Sequence, residues 1–99
     1  MKAKAKGMFR KLGYIQENTA FERFIAYKKR HRVGFNYIEF DTIDKTFEAS
    51  YYDSKGDSHP LIITPKELVA IYEQIDELGG GFNGKNTNRN QRMEAQSKI

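Results

Sequence analysis

The segment of residues 64–79 constrains the fold most, because the sequence marks both ends of a helix in it. Thr64 is a good N-cap, since its hydroxyl can accept a hydrogen bond from the first helical turn. Pro65 suits the first helical position, and Glu67 completes a capping box with Thr64. Gly79 suits the left-handed residue that follows a helix. The pattern therefore predicts one helix over this segment.

An apolar stripe predicts which side of this helix is buried. Its members recur at i, i+3, i+4, i+7 and i+10, the spacing of a single helical face: Leu68, Ile71, Tyr72, Ile75 and Leu78. We expect these side chains to pack on a sheet formed by the aromatic-rich segment before the helix.

Three segments before the helix have the composition of β-strands, namely residues 21–30, 34–43 and 46–52. They are rich in aromatic and β-branched residues, and the first alternates in the manner of a strand. Residues 54–57 contain Gly56 and predict a turn. Together with the helix they predict an α+β fold. It would be an antiparallel three- to four-stranded meander with one C-terminal amphipathic helix packed on one face.

Charge divides the 99-residue chain into three parts. Residues 1–12 carry five bases and no acid, residues 13–79 carry eight bases and twelve acids, and residues 80–99 carry four bases and one acid. Almost all aromatic residues lie in the middle part, and a polar segment with little to bury does not offset its ordering entropy. We therefore predict a basic flexible leader over residues 1–8, a single α+β domain over residues 9–80 and a disordered polar, basic tail over residues 81–99.

Several kinds of site are excluded or disfavoured by composition. The chain has no cysteine, so it contains no disulfide, thiolate zinc site or cysteine nucleophile. No segment resembles a secretory signal, and no apolar run approaches the about 18 residues of a membrane-spanning helix. An intracellular location is the expectation.

The glycines after the predicted helix match a phosphate-binding motif only in letters. Gly79, Gly81 and Gly84 fit Gly-x-Gly-x-x-Gly, but that motif needs a strand before it and a helix after it. His31 and His59 lie far apart and have no suitably spaced metal-binding partner. No set of nucleophile, base and orienting group is visible. We predict no cofactor, no metal and no enzymatic activity.

The densest charge cluster, Lys28 to Arg32, lies between two predicted strands. It could contact phosphates, and Tyr27, Phe35 and Tyr37 nearby could add base stacking. Alternatively, it is a solvated hairpin tip whose charges discourage edge-to-edge aggregation. An acidic protein partner is the third interpretation.

Surplus aromatic residues in the strands give a second candidate surface. One helix covers only one face of a three-stranded sheet, and an exposed aromatic patch marks an interface with another subunit or another protein. Depending on register, the open side would carry Phe24, Tyr27, Tyr37, Tyr52 or Tyr14. The candidate binding residues are therefore Lys28, Lys29, Arg30, Arg32, Tyr27, Tyr37 and Tyr52.

Three stretches of the sequence carry a resemblance: Leu12-Gly13-Tyr14, the aromatic meander, and residues 61–79 from Leu-Ile-Ile-Thr-Pro-Lys-Glu-Leu to Glu-Leu-Gly. The chain resembles small uncharacterised proteins encoded by phages and prophages of Gram-positive bacteria over about residues 8–80. The resemblance implies a phage-associated setting in the cytoplasm of the bacterial host. It implies no catalytic residues.

These observations lead to two functional hypotheses. The first is a non-catalytic, phage-type accessory protein that binds a protein partner, either a host factor or its own copy. The alternative is a nucleic-acid-binding protein that uses the basic hairpin turn and the basic tails. Neither hypothesis involves a membrane or a small-molecule substrate.

Overall fold

The computed structural model describes residues 4–84, which form two helices and six strands. In chain order these are α1 (Lys4–Lys11), β1 (Ile15–Glu17), β2 (Phe24–His31), β3 (Gly34–Asp41), β4 (Thr46–Asp53), β5 (Ser58–Pro60), α2 (Pro65–Glu77) and β6 (Asn83–Gly84). Strands β1 to β5 form an antiparallel sheet in sequence order, and β6 adds a short parallel pairing to β4. The predicted α+β meander with a C-terminal helix on one face is confirmed, but its antiparallel sheet has five strands rather than three or four.

Strands β2, β3 and β4 form the centre of the sheet and are each eight residues long. Tyr27, Ile38 and Ala49 are aligned across them and belong to the core beneath the helices. The predicted turn before β5 is present, with Gly56 at a φ of 89°. The edge strand β5 falls at residues 58–60, just before the apolar triplet of residues 61–63.

Both predicted ends of α2 are confirmed. The Thr64 hydroxyl accepts a hydrogen bond from the Glu67 backbone N–H at 3.2 Å, and Glu67 Oε1 accepts one from the Thr64 N–H at 2.9 Å. Gly79 follows the helix at a φ of 96°, in the left-handed region that favours glycine. The capping box therefore orients the carboxylate of Glu67 as well as starting the helix.

The predicted buried stripe of α2 is wrong for two of its members. Leu68 is exposed, and Tyr72 is 60% exposed. The buried residues of the helix are instead Glu67, Ala70, Ile71 and Gln74. Two core tyrosines explain this rotation, because their buried hydroxyls need acceptors. The Tyr14 hydroxyl donates to Glu67 Oε2 at 2.7 Å, and the Tyr27 hydroxyl donates to Gln74 Oε1 at 2.5 Å.

The flexible leader predicted over residues 1–8 is also corrected, since residues 4–8 belong to α1. Ala5 and Phe9 are fully buried one helical turn apart. The Phe9 ring stacks on Tyr27 with 4.0 Å between centroids, and the Ala5 N–H donates to Glu77 Oε2 of α2 at 2.7 Å. Two apolar side chains at helical spacing thus pack this basic segment against the core. Residues 1–3 lie outside the described residues.

The prediction of a disordered tail from residue 81 is wrong for residues 81–84. Phe82 packs against the core, and the Asn83 N–H donates to the Lys45 carbonyl at 3.0 Å beside the start of β4. The Lys45 ammonium in turn donates to the carbonyls of Leu78 and Gly80 at 3.0 and 3.1 Å. These contacts hold the end of α2 against the turn between β3 and β4. Residues 85–99 of the predicted tail lie outside the described residues.

An ion pair connects the residue before β2 to the last residue of β3. Arg23 Nη2 lies 2.6 Å from Asp41 Oδ2, and Asp41 Oδ1 accepts from the backbone N–H groups of Ile43 and Asp44. The hydrogen bond from Arg23, with the two backbone donors, lowers the pKa of Asp41 to about 2. The lowered pKa means that this carboxylate stabilises the fold above its ordinary pKa and ceases to do so as the pH falls towards 2.

A chain of hydrogen bonds crosses the core from the β2–β3 hairpin to α2. His31 Nε2 lies 2.8 Å from Asn36 Oδ1, and Asn36 Nδ2 donates to the Tyr14 hydroxyl at 3.1 Å. That hydroxyl donates to Glu67, and burial raises the pKa of Tyr14 well above its usual range. Glu67 is only 5% exposed, so its carboxylate depends on these donors.

We expect Tyr14→Phe to lower the free energy of unfolding by about 2 kcal/mol, because it removes a donor from a buried carboxylate without opening a cavity. Urea unfolding at neutral pH would measure this loss. Tyr72→Phe on the exposed side of α2 is the matched control and should change stability by less than about 0.5 kcal/mol. Equal effects of the two substitutions would contradict the assigned role of the Tyr14 hydroxyl.

Candidate functional site

The two helices pack on one face of the sheet and leave the other uncovered; we call the uncovered side the open face. Strand side chains alternate between faces, so the neighbours of core residues such as Ile38 point to the open face. From the three central strands it carries Phe24, Ala26, Lys28, Arg30, Phe35, Tyr37, Glu39, Asp41, Thr46, Glu48, Ser50 and Tyr52.

Three of these side chains form an aromatic cluster, Phe35, Tyr37 and Tyr52. Phe35 and Tyr52 lie directly opposite each other on β3 and β4, and their rings stack with 4.9 Å between centroids. Tyr37 meets both rings edge-on, at 6.4 and 6.3 Å. All three side chains are half-buried by one another and by their strand neighbours. The cluster is therefore a packed apolar surface presented outward from a rigid sheet.

Two basic side chains border the aromatic cluster. The Lys28 ammonium lies 4.3 Å from the centroid of the Phe35 ring, within the range of a cation–π interaction. It also lies 4.0 Å from Glu17 Oε1 on β1. Arg30 is exposed and lies directly opposite Phe35 in the register of β2 and β3. This end of the open face combines aromatic rings with positive charge.

The other end of the open face is acidic. Glu39 and Glu48 lie directly opposite each other on β3 and β4, and Glu17 pairs with Ala26 in the same row across the sheet. We call these three carboxylates the acidic row. Burial, followed by the nearby charges of Glu39 and Glu17, raises the pKa of Tyr37. The open face is thus divided along the strands into a basic, aromatic half and an acidic half.

A pocket the size of a single water molecule lies in the acidic half, between Phe24, Glu48 and Thr46. Within residues 4–84, the Thr46 hydroxyl is the one buried side-chain polar atom without a hydrogen-bond partner. A single water in this pocket would form the hydrogen bond that this hydroxyl lacks. The pocket is too small to hold a substrate molecule.

Four of the predicted binding residues come together on the open face: Lys28, Arg30, Tyr37 and Tyr52. The basic run does not form one surface, because successive strand residues point to opposite faces. Lys29 points to the helix-covered side, where its ammonium lies 5.8 Å from the Tyr14 ring. Arg32 is exposed in the turn that joins β2 and β3.

Tyr27 is the clear error among the predicted binding residues. It is only 2% exposed and belongs to the core, with its hydroxyl bonded to Gln74. Phe35 was considered only as a base-stacking residue and left out of the candidate binding residues, although its ring contacts both tyrosines of the aromatic cluster. The available signal was its position two residues before Tyr37, which puts both rings on the same face of one strand.

A second apolar surface lies on the outward side of α2. Leu68, Val69 and Tyr72 are exposed there, the last two by 55% and 60%. It arises because the helix turns Glu67 and Gln74 inward to meet the core tyrosines.

Polar side chains elsewhere serve local structure. His59 Nε2 lies 2.9 Å from Asp53 Oδ2, but Asp53 Oδ1 also accepts from the N–H groups of Lys55 and Asp57, so this pair belongs to the β4–β5 turn. Over residues 4–84, no three histidine or carboxylate side chains are grouped to hold a metal ion. In the same range, neither helix has the length and apolar character needed to cross a membrane.

Comparison with known proteins gave no match among family models, curated proteins or solved structures. The chemistry of the open face is therefore the guide to what this protein binds.

Proposed function

We propose that the protein is a non-catalytic binding protein that contacts a protein partner through the open face of its sheet. The observation that carries this proposal is the aromatic cluster at an uncovered face, bordered by Lys28 and Arg30. Tyrosine, phenylalanine and arginine are the residues that protein interfaces favour over the rest of the surface. Because these side chains lie on a sheet of three strands of equal length, they would lose little conformational entropy on binding a partner.

The arrangement of the rings favours a protein over a single-stranded nucleic acid. Bases stack on accessible ring faces. Phe35, however, lies between Tyr52, which stacks on its ring, and Lys28, whose ammonium lies over its ring. The acidic row beside the cluster would repel phosphates. Ring edges and tyrosine hydroxyls suit the mixed apolar and polar contacts of a protein surface.

The division of the basic run argues in the same direction. Lys28 and Arg30 lie on the open face, Lys29 on the helix-covered side and Arg32 in the turn. Neutralising neighbouring phosphates requires several bases on one surface. Nucleic-acid binding is therefore the competing outcome of the experiment below.

The setting of this binding is part of the proposal. The resemblance of residues 8–80 to phage and prophage proteins supports an accessory role in the cytoplasm of a Gram-positive host. The partner would then be a host factor or a second copy of the chain.

Site-specific photocrosslinking tests the proposal. Benzoylphenylalanine at Ser50 on the open face should yield a discrete protein adduct in a Gram-positive lysate, with or without nuclease treatment. The same group at Lys66, exposed on the first turn of α2, is the matched control and should yield none.

Two results would overturn this function. The first is a Ser50 adduct that nuclease treatment abolishes, together with an oligonucleotide gel shift that Lys28→Ala and Arg30→Ala remove; this supports nucleic-acid binding. The second is the absence of an adduct from Ser50, or equal adducts from Ser50 and Lys66, in both the lysate and the purified protein.

A further inference from the structure

We propose that the partner is a second copy of this chain, and that the two open faces pack together about a two-fold axis lying across the strands. This inference rests on the proposed function, since it uses the same surface. It adds the identity of the partner and the orientation of the complex.

The division of charge along the strands carries the inference. Three successive rows cross the open face from the hairpin tip: Arg30 with Phe35 and Tyr52, then Lys28 with Tyr37 and Ser50, then Ala26 with Glu39 and Glu48. Rows on one face are two residues apart, or about 7 Å. Positive charge is thus replaced by negative charge within the span of one interface.

This order of rows selects one symmetric arrangement. In a two-fold dimer each subunit presents the same patch to the other. An axis across the strands reverses their direction, so the Lys28 row of one copy meets the acidic row of the other. An axis parallel to the strands would instead place the basic rows of the two copies opposite each other. Charge complementarity therefore favours the first arrangement.

The acidic row supports the same orientation. Glu39 and Glu48 lie directly opposite each other on β3 and β4. Their carboxylates therefore concentrate negative charge where the Lys28 row of the other copy would lie.

The size of the open face sets the expected strength. The three central strands are about 26 Å long and together about 14 Å wide, and the short strands β1 and β5 add about 10 Å by 5 Å each, giving roughly 460 Å² per chain. The total of roughly 900 Å² lies just below the usual lower limit for a specific, stable interface. We therefore expect a weak, salt-sensitive dimer with a dissociation constant on the order of tens of micromolar.

Two complementary variants test the orientation. Glu39→Lys with Glu48→Lys makes the face basic, and Lys28→Glu with Arg30→Glu makes it acidic. Each variant alone should self-associate at least about tenfold more weakly than the original protein, because both halves then carry one sign. An equimolar mixture should recover heterodimer formation to within about threefold. Sedimentation equilibrium measures all three, and circular dichroism checks that each variant is folded.

Tyr72→Lys on the outward side of α2 is the control and should leave the dimer unchanged. The original protein supplies a readout that needs no charge variant. Benzoylphenylalanine at Ser50 should crosslink two purified chains near Glu48 of the other copy, because the proposed axis places β4 on β4. Raising the salt concentration should weaken this adduct.

Loss of the dimer in Tyr72→Lys, or a mixture that remains monomeric although both variants are folded, would overturn the inference. A purified protein that stays monomeric at several hundred micromolar, with no self-adduct from Ser50, would also overturn it. In that last case an adduct to another protein in the lysate would leave the proposed function standing. No adduct in either sample would remove both.

Discussion

Replacing Phe9 by alanine is expected to lower the free energy of unfolding by about 3–5 kcal/mol. Phe9 is fully buried at the centre of the core, where its ring stacks on Tyr27 and meets Tyr14 and Phe40 edge-on at 5.6 and 6.3 Å. The substitution leaves a cavity that these neighbouring rings cannot fill without moving. Urea unfolding followed by circular dichroism measures the loss.

Arg10→Ala is the matched control for Phe9→Ala, because Arg10 is the next residue of α1 and is exposed. It should change stability by less than about 0.5 kcal/mol. If Phe9→Ala were equally mild, the packing of α1 on the core through Phe9 would be contradicted.

Gly34→Ala is the second substitution with a large expected effect, about 3 kcal/mol or more. A methyl group on Gly34 would lie 1.9 Å from the carbonyl oxygen of Tyr52 and 3.0 Å from the Cα of Asp53. Both atoms belong to the backbone of β4, so the clash can be relieved only by separating β3 from β4. Urea unfolding measures the cost.

The same substitution should also weaken self-association, because Gly34 precedes Phe35 and its clash displaces Tyr52 from the aromatic cluster. Gly56→Ala is the matched control. Gly56 has a φ of 89° but no neighbouring atom within 4 Å of a built methyl group, so only backbone strain of about 1 kcal/mol is expected. A Gly34→Ala protein as stable as Gly56→Ala would show that β3 and β4 do not approach so closely.

The tyrosines show how one residue type takes two roles in this small domain. Tyr14 and Tyr27 lie in the core, and each hydroxyl has a buried acceptor on α2. Tyr37 and Tyr52 lie on the open face, where their rings pack together and their polar ends can remain in contact with water. The first pair stabilises the fold, and the second pair supplies the proposed contact surface. Substitutions in the second pair can therefore test binding without removing the core.

Local sequence determined the main elements of the fold. The N-cap, capping box and terminal glycine of α2 depend on residues three to fifteen positions apart, so Thr64, Glu67 and Gly79 could be assigned correctly. The three central strands were identified from alternation and β-branched composition, with ends displaced by at most three residues. In both cases the physical cause lies within one element or one turn.

Tertiary structure decided which face of each element is buried. Hydrophobicity alone put Leu68 and Tyr72 in the core, but the buried hydroxyls of Tyr14 and Tyr27 required Glu67 and Gln74 there. That requirement is non-local, because donor and acceptor are about fifty residues apart. In the same way, α1 could be recognised as part of the core only once Phe9 had Tyr27 to stack on.

The candidate site shows the same division. Sequence alone placed aromatic and basic residues in the strands and indicated that one face of the sheet would lack a helix. Register between strands decided that Lys28, Phe35 and Tyr52 share that face, while Tyr27 faces the core. Register is set by packing of the covered face, and a shift by one residue would have exchanged the two faces. The sequence therefore indicated which residue types the binding surface contains. Only the folded sheet decided which individual residues lie on it.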